Sequence, residues 1–290
     1  MTLYVVATPI GNLGDMSPRA VETLKNAGLI AAEDTRVTMK LLSHFGIHTP
    51  LTSCHRHNEP GKAPEIVKRM LDENMDVALV TDAGTPGVSD PGMILTGLCA
   101  ASGIPVVSVP GPTALAAALS VSGFDVTEFT FYGFLPREKK PLLAKLAGMK
   151  GSQAAIIHES PFRVVALMEA IKEALPNAMV SASCDLTKLH ELTLRGTPGE
   201  VLTALRSNEK ADKGEYCIVL DLRNEKAEEA PKVAELSPEL CFFEELLRGV
   251  PVRQARDNVI ARGYRKNDVY RASLEVMAKI RQLNGEDQSE

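Results

Sequence analysis

The stretch Val77–Gly92, VALVTDAGTPGVSDPG, decides the architecture of this chain. Its opening run, Val77-Ala78-Leu79-Val80, is apolar on both faces, as in a strand buried inside a parallel sheet. Thr81-Asp82 ends the run, and Gly84, Pro86 and Gly87 turn the chain. Asp90-Pro91 then reads as a helix start, with Asp90 as N-cap and Pro91 in the first helical position. A rigid strand therefore delivers one carboxylate and several small residues to the carboxyl edge of a sheet, where open α/β folds bind their ligands.

The same alternation extends over the first 222 residues and favours α/β over α+β. Strands are expected over 3–8, 29–32, 77–80 and 106–109, with helices over 17–28 and 60–74, after Asp90, and over 114–119. A second set begins near Phe124, with strands over 129–134, 154–158, 179–183, 189–195 and 216–222 and helices over 138–148 and 161–175. Two α/β lobes follow, 1–115 and 116–223, hinged near residues 112–124, and a cleft between such lobes is a preferred ligand location. Residues 224–236 read as an acidic linker. Residues 237–282 read as a small all-helical domain of three short helices, capped by Ser237-Pro238, closed at Gly263 and restarted at Asn267.

The net charge of −5 argues against a nucleic-acid protein, but the average hides a local bias. From Leu240 to Arg281 nine Lys or Arg face five acids, so the helical domain is basic. It reads either as a helix-turn-helix module or as a docked appendage whose charges only solvate it. With no Trp and 4% aromatics, an aromatic platform for single-stranded RNA is disfavoured. The five cysteines lack paired spacing, which fits reduced thiols in a cytoplasmic protein. No signal core precedes the first strand, and prolines 105, 110 and 112 interrupt the most apolar segment, arguing against a membrane span.

Several loops carry chemistry. Thr8-Pro9-Ile10-Gly11-Asn12-Leu13-Gly14-Asp15 follows the first strand but is neither a dinucleotide fingerprint nor a Walker A loop. Glu33-Asp34-Thr35-Arg36 ends the second strand as a base beside a phosphate-binding arginine, or as an internal ion pair. His55-Arg56-His57-Asn58-Glu59 reads as the polar rim of a cleft in preference to a metal cluster, and no metal is expected. Neither a nucleophile elbow nor a cysteine with an evident histidine partner is present, so covalent acyl chemistry lacks support.

In order, T-P-I-G-N-L-G-D, A-E-D-T-R, H-x-x-N-E, D-A-G-T-P-x-x-x-D-P-G, V-P-G-P-T-A, G-F-L-P-R and H-E-S-P-F-R resemble the tetrapyrrole-methylase superfamily of S-adenosylmethionine (SAM) enzymes. Within it they are similar to the branch that methylates a cytidine 2′-hydroxyl of 16S rRNA in the small ribosomal subunit. The resemblance spans nearly the whole chain. It implies two α/β lobes with SAM in the cleft between them, plus the helical domain, in a cytoplasmic homodimer. Carried over motif by motif, SAM meets Pro9, Asp82, Gly84, Thr85, Thr113 and Ala114 on one lobe. On the other it meets Ile157, Ser183, Cys184, Gly214 and Glu215. Candidates for the base are Glu59 and Glu33, then Asp34 and Lys188. RNA contacts fall on Asn12, Arg36, His57, Asn58, Arg137, Arg163, Arg262, Arg265 and Lys266. The branch's A-R-E-L-T-K appears here as Ser183-Cys184-Asp185-Leu186-Thr187-Lys188, which removes any contact made by the arginine. The alternatives are a methyltransferase acting on a tetrapyrrole, a non-catalytic rRNA-binding assembly factor, and a nucleotide hydrolase, which lacks its phosphate loop.

Overall fold

The computed structural model describes residues 1–225 and 236–283. The chain divides into two compact units, Met1–Lys226 and Ala227–Glu290. The expected acidic linker lies, from 226 to 235, outside the described residues.

The first unit contains two sheets. β1 (Leu3–Val6), α1 (Pro18–Asn26), β2 (Leu29–Ala32), α2 (Thr35–His44), β3 (Leu51–Ser53), α3 (Glu59–Glu73), β4 (Val77–Val80), α4 (Met93–Ala101) and β5 (Val106–Val109) build the first. All its pairings are parallel, in the order β3-β2-β4-β1-β5. Alternation along the strands splits the core into two layers. Ile30, Ala32, Ala78 and Val80 face Leu24 of α1 and Leu42 of α2. Leu29, Ala31, Val77 and Leu79 face Ile66 and Met70 of α3 and Leu95 of α4. Helices therefore cover both faces, which is why every residue of β2 and β4 is buried.

α5 (Ala114–Ser122) leads into the second sheet, formed by β6 (Phe129–Phe134), α6 (Lys139–Ala147), β7 (Ala154–Glu159), α7 (Val164–Ala174), β8 (Met179–Cys184), β9 (Leu192–Gly196), α8 (Pro198–Ser207) and β10 (Tyr216–Asp221). Its order is β6-β7-β10-β8-β9, with β6 and β7 parallel and the other pairs antiparallel. α6, α7 and α8 cover one face through Leu146, Leu167, Ile171 and Leu205. On the other face, Leu115 and Ala118 of α5 pack on Ile156, Cys217 and Val219. Arg195 donates to the carbonyls of Val121 and Ser122, satisfying the last turn of α5.

The second unit is a three-helix cluster, α9 (Pro238–Leu247), α10 (Val252–Ala261) and α11 (Lys266–Leu283), around Phe242, Ala255, Val259 and Val269. Ser237 accepts from the amide of Leu240 at 3.4 Å, with Pro238 at the start of the helix. α11 begins at Lys266 instead of being capped by Asn267, and the Arg265 carbonyl accepts its first bonds from Asp268 and Val269.

Other expectations shift locally. α4 starts at Met93, so Asp90 and Pro91 lie in the loop and Gly92 takes the cap position with φ 123°. His55–Asn58 form the turn entering α3. Residues 189–191 precede β9. The elements α2, β3 and α8 are additional to the sequence reading; α8 carries a reciprocal Thr197–Glu200 capping box that marks its start.

Candidate active site

In the first sheet β1 and β4 are neighbours, yet β1 connects onward to β2 on one side and β4 to β5 on the other. The chains diverge there and open a crevice at the carboxyl edge. Three hydrogen bonds build its floor. Thr8 and Gly84 exchange backbone bonds at 2.9 and 3.0 Å, and the Thr8 hydroxyl donates to the Thr81 carbonyl at 3.1 Å. This clip requires φ 89° at Gly84, a left-handed conformation natural to glycine. The Thr85 hydroxyl then donates to the Pro112 carbonyl at 3.2 Å, joining the G-T-P and P-G-P turns.

Glu33 and Asp82 end adjacent strands and cross-brace them. Asp82 Oδ1 accepts from the amide of Asp34 at 3.0 Å, and Glu33 Oε2 accepts from the amide of Asp82 at 3.4 Å. Burial raises both carboxyls, partly offset by these amide bonds.

The facing wall comes from the second sheet, where Tyr216 pairs with Glu159 on one side and Cys184 on the other. After β8 the chain turns through left-handed Asp185 (φ 53°) and Thr187 (φ 68°). The Asp185 carboxylate lies over Gly214, where a Cβ would stand 2.5 Å from Oδ2. Lys188 Nζ bonds to Asp185 at 2.8 Å and Glu215 at 3.1 Å. Burial pulls the Lys188 ammonium down, but these two carboxylates outweigh it and hold the group above its usual value. The Lys188 stem also closes on Gly11 of the first lobe, where a Cβ would lie 2.5 Å from Cγ.

Between the walls lies a cavity of about 500 Å³, within the range of small-molecule sites. Of the residues expected to meet the cofactor, Asp82, Gly84, Thr85, Thr113, Ala114 and Glu215 line it. Five others do not. Pro9 is buried and its neighbour Ile10 lines the cavity instead. Ile157 points into the core beneath α7, and the alternation of β7 presents His158 in its place. Ser183 is buried and pairs with the Thr193 hydroxyl at 3.0 Å. Cys184 packs in the second-lobe core with its thiol 3.6 Å from the Lys213 carbonyl. Gly214 acts by admitting Asp185.

The candidate bases separate in the same way. Glu33 lines the cavity. Glu59 does not: it is 4% exposed and Oε1 accepts from the amides of Ile94 and Leu95 at 2.9 and 3.0 Å, capping α4. Asp34 caps α2 through the amide of Arg36 and pairs with the guanidinium at 2.6 Å. These bonds lower its carboxyl to about 2, so it is a poor base. Lys188 is a charged ammonium with no lone pair to accept a proton.

Several residues read as RNA contacts have structural duties. Asn58 accepts from the amide of His55 at 2.7 Å and donates to the Ser53 hydroxyl at 3.1 Å, fixing the turn into α3. Arg163 donates to the Pro136 carbonyl at 3.0 Å and pairs with buried Glu159 at 3.2 Å, tying G-F-L-P-R to H-E-S-P-F-R. Arg262 pairs with Glu244 and Glu245 inside the helical unit. Asn12, Arg36, His57, Arg137, Arg265 and Lys266 are exposed, although Arg36 is engaged by Asp34 and Asn12 accepts from the amide of Gly14.

The sequence singled out His158 within H-E-S-P-F-R, Phe134 within G-F-L-P-R and Asp90 as a helix cap, without numbering them among the site residues; all three line the cavity. Burial lowers the His158 imidazole below its usual value, and its Nε2 has no protein hydrogen-bond partner. Phe131 and Phe134 meet that ring edge-on at 5.0 and 5.9 Å. The alternation of H-E after an apolar strand was the available signal for His158.

SAM fits this chemistry. Its adenine and ribose offer donors and acceptors that the open strand-end backbone, Asp82 and the unpartnered His158 nitrogen can answer, and the small residues Ala83, Gly84 and Ala114 leave room for it.

The family profile described as Tetrapyrrole (Corrin/Porphyrin) Methylases matches residues 2–202. Uroporphyrin-III C-methyltransferase from Thermus thermophilus, complexed with S-adenosyl homocysteine, superposes with a TM-score of 0.53 at 14% identity, covering 76% of this chain and 97% of that one. A cobalt precorrin-4 methyltransferase gives 0.54 at 17% identity over 76% and 94%. These two establish the fold. Proteins named ribosomal RNA small subunit methyltransferase I are more similar in sequence. The one from Halalkalibacterium halodurans is 41% identical over 92% of this chain and 87% of its own. That from Pseudomonas aeruginosa is 37% identical over 96% and 98%, and that from Synechocystis 46% over 75% and 78%. The cofactor of this family is SAM. By profile, fold and full-length identity, the chain belongs to the tetrapyrrole methylase family and, within it, to the ribosomal RNA small subunit methyltransferase I family.

Proposed function

We propose that the protein transfers a methyl group from SAM to the ribose 2′-hydroxyl of a cytidine in 16S rRNA of the small ribosomal subunit. The carrying observation is the cavity closed by both lobes, flanked by exposed Asn12, Arg36 and Arg137, each within three residues of a residue that lines it. Those exposed polar and basic side chains could hold a polyanion along the rim of the cavity. Relatives aligned over more than 90% of this chain are named for methylation of small-subunit ribosomal RNA. The likeness to tetrapyrrole enzymes concerns the fold alone.

SAM supplies an activated methyl group on a sulfonium. The chain's own residues do the rest. Gly84, Thr85 and Thr113 shape the first wall, and the Glu33–Asp82 brace fixes it without side-chain reorganisation. The Lys188 loop, closed onto Gly11, holds the second wall against the first. A ribose hydroxyl is a poor nucleophile near neutral pH, so alignment and a proton acceptor carry the rate.

Exposed Arg253, Arg265 and Lys266 of the helical unit would meet rRNA phosphates, since Arg248, Arg262 and Arg271 are taken by internal ion pairs. A ribosomal substrate would be met in the cytoplasm, the location this reading assigns; among the described residues no helix is long and apolar enough to cross a membrane.

The test is purified protein with tritiated SAM and 30S subunits from a strain lacking the modification. Label in an alkali-resistant dinucleotide of the 16S rRNA is expected, with transfer falling steeply as salt rises. Label in a porphyrinoid, or SAM binding with no transfer to RNA, refutes the reading.

A further inference from the structure

Six carboxylates line the cavity: Glu33, Asp82, Asp90, Glu159, Asp185 and Glu215. Protein donors engage five of them. Glu33 and Asp82 accept backbone amides in the cross-brace. Glu159 accepts the amide of Ser160 at 2.8 Å and faces Arg163. Asp185 and Glu215 share Lys188. Among the described residues, Asp90 alone of the six has neither a hydrogen bond nor an ion pair. A proton acceptor needs an open lone pair facing the reacting hydroxyl; each of the other five already takes a protein donor or cation on at least one oxygen, whereas neither Asp90 oxygen is engaged.

We infer that Asp90 is the general base that takes the ribose hydroxyl proton, an inference that rests on the reaction proposed above.

The loop holding Asp90 is rigidly placed. Ser89 sits in the left-handed region at φ 68°, and its carbonyl accepts from Arg56 Nη2 at 3.2 Å. The amide of Gly87 donates to the Pro91 carbonyl at 3.1 Å, closing the loop on itself. From the second lobe, Gly133 comes so close that a Cβ there would stand 2.9 Å from Ser89 Oγ. A residue held in a sparsely populated conformation beside a ligand cavity is a common place for function.

The electrostatics agree with the geometry. Burial pushes the Asp90 carboxyl up to about 6, helped by Glu33 from the end of β2 and Asp82 from the end of β4, and opposed by Arg56 from the turn before α3. Those are the charged groups facing it. A carboxyl near 6 is ionised at cytoplasmic pH yet a stronger base than a solvated one. The rival acceptor is His158 Nε2, but burial lowers its basicity and Phe131 and Phe134 pack edge-on against its ring.

In the step, the ribose oxygen forms a bond to the methyl carbon as the carbon–sulfur bond breaks, and that electron pair stays on sulfur as a neutral thioether. The hydroxyl proton passes to the Asp90 carboxylate and then to water.

The experiment measures single-turnover transfer to unmodified 30S subunits for the wild type, Asp90→Asn, Asp90→Glu and His158→Gln, with SAM affinity by calorimetry. Asp90→Asn should lower the rate about 10²–10⁴-fold, leave SAM affinity within about twofold, and abolish the rise in rate between roughly pH 5 and 7. Asp90→Glu should recover part of the rate. The inference is overturned if Asp90→Asn keeps the rate within about fivefold with the same pH profile. It is also overturned if SAM affinity falls in step with rate, or if His158→Gln removes the pH limb while Asp90→Asn keeps it. A wild type that labels no 2′-hydroxyl refutes the underlying reaction, an outcome distinct from failure of the variant alone.

Discussion

Replacing Glu59 by alanine should destabilise the first unit without touching the chemistry. α4 has no local cap: Gly92 stands at the N-cap with φ 123°, and a Cβ there would lie 2.7 Å from Leu79 Cδ2. A Ser or Asp therefore has no room, and the cap arrives from the first residue of α3 instead. Glu59 Oε1 takes the amides of Ile94 and Leu95, and Leu95 is fully buried. Loss of a helix cap costs about 1 kcal/mol, and a buried amide left unsatisfied adds about 1–3 kcal/mol. The carboxylate's interaction with the helix N-terminus overlaps with both. About 3 kcal/mol is the expected loss, equal to a fall in Tm of about 6–12 °C for a unit of this size. Glu59→Gln keeps an acceptor oxygen and should lose less than half as much. Urea and thermal unfolding read the stability, and single-turnover transfer at 15 °C below the variant's Tm, on the order of its folded plateau, reads the chemistry. If Glu59→Gln unfolded like the wild type and transferred no methyl group, the capping role would be refuted and Glu59 restored as a base.

Gly214→Ala places a Cβ against Asp185 Oδ2 at a residue with φ 82°, so it should lower both stability and SAM affinity, read by calorimetry and melting. Arg163→Ala leaves the Glu159 carboxylate, 0% exposed, without its cation, and should cost about 3–5 kcal/mol in urea unfolding while the salt slope of rRNA binding stays put. A reduced salt slope at wild-type stability would make Arg163 an RNA contact after all. Asp90→Asn should stabilise the protein at pH 7.5. The folded carboxyl titrates near 6 and a free one near 4. Above about pH 6 the folded state therefore carries the strain of an ionised group, which protonation relieves as pH falls toward 4. The variant's gain, kept under about 1 kcal/mol by solvent screening, should fade over that window; a gain constant with pH contradicts it.

Much of this was open to sequence reading. Buried strands announce themselves as apolar runs, and Ser17-Pro18 and Ser237-Pro238 mark helix starts through bonds formed within three residues. Asp90-Pro91 carries the same local signature and does not cap a helix, because Glu59, over thirty residues away, supplies that bond. Ile157 and His158 differ by one strand position, and alternation puts one in the core and the other in the cavity. Asn58 and Arg163 have side chains suited to RNA, but the backbone nearby takes their hydrogen bonds first.

Sequence by itself determined the parallel first lobe and the presence of a second lobe and of a basic helical unit, because strand runs, caps and glycine turns are short-range features; the cofactor class followed from the resemblance of its ordered motifs to a SAM-dependent family. Only the tertiary structure decided which carboxylate is free. That property depends on donors from β2, β4, β7 and the Lys188 loop converging on one cavity. Hydrogen-bond saturation of a side chain is set by neighbours in space, and no spacing along the chain encodes it.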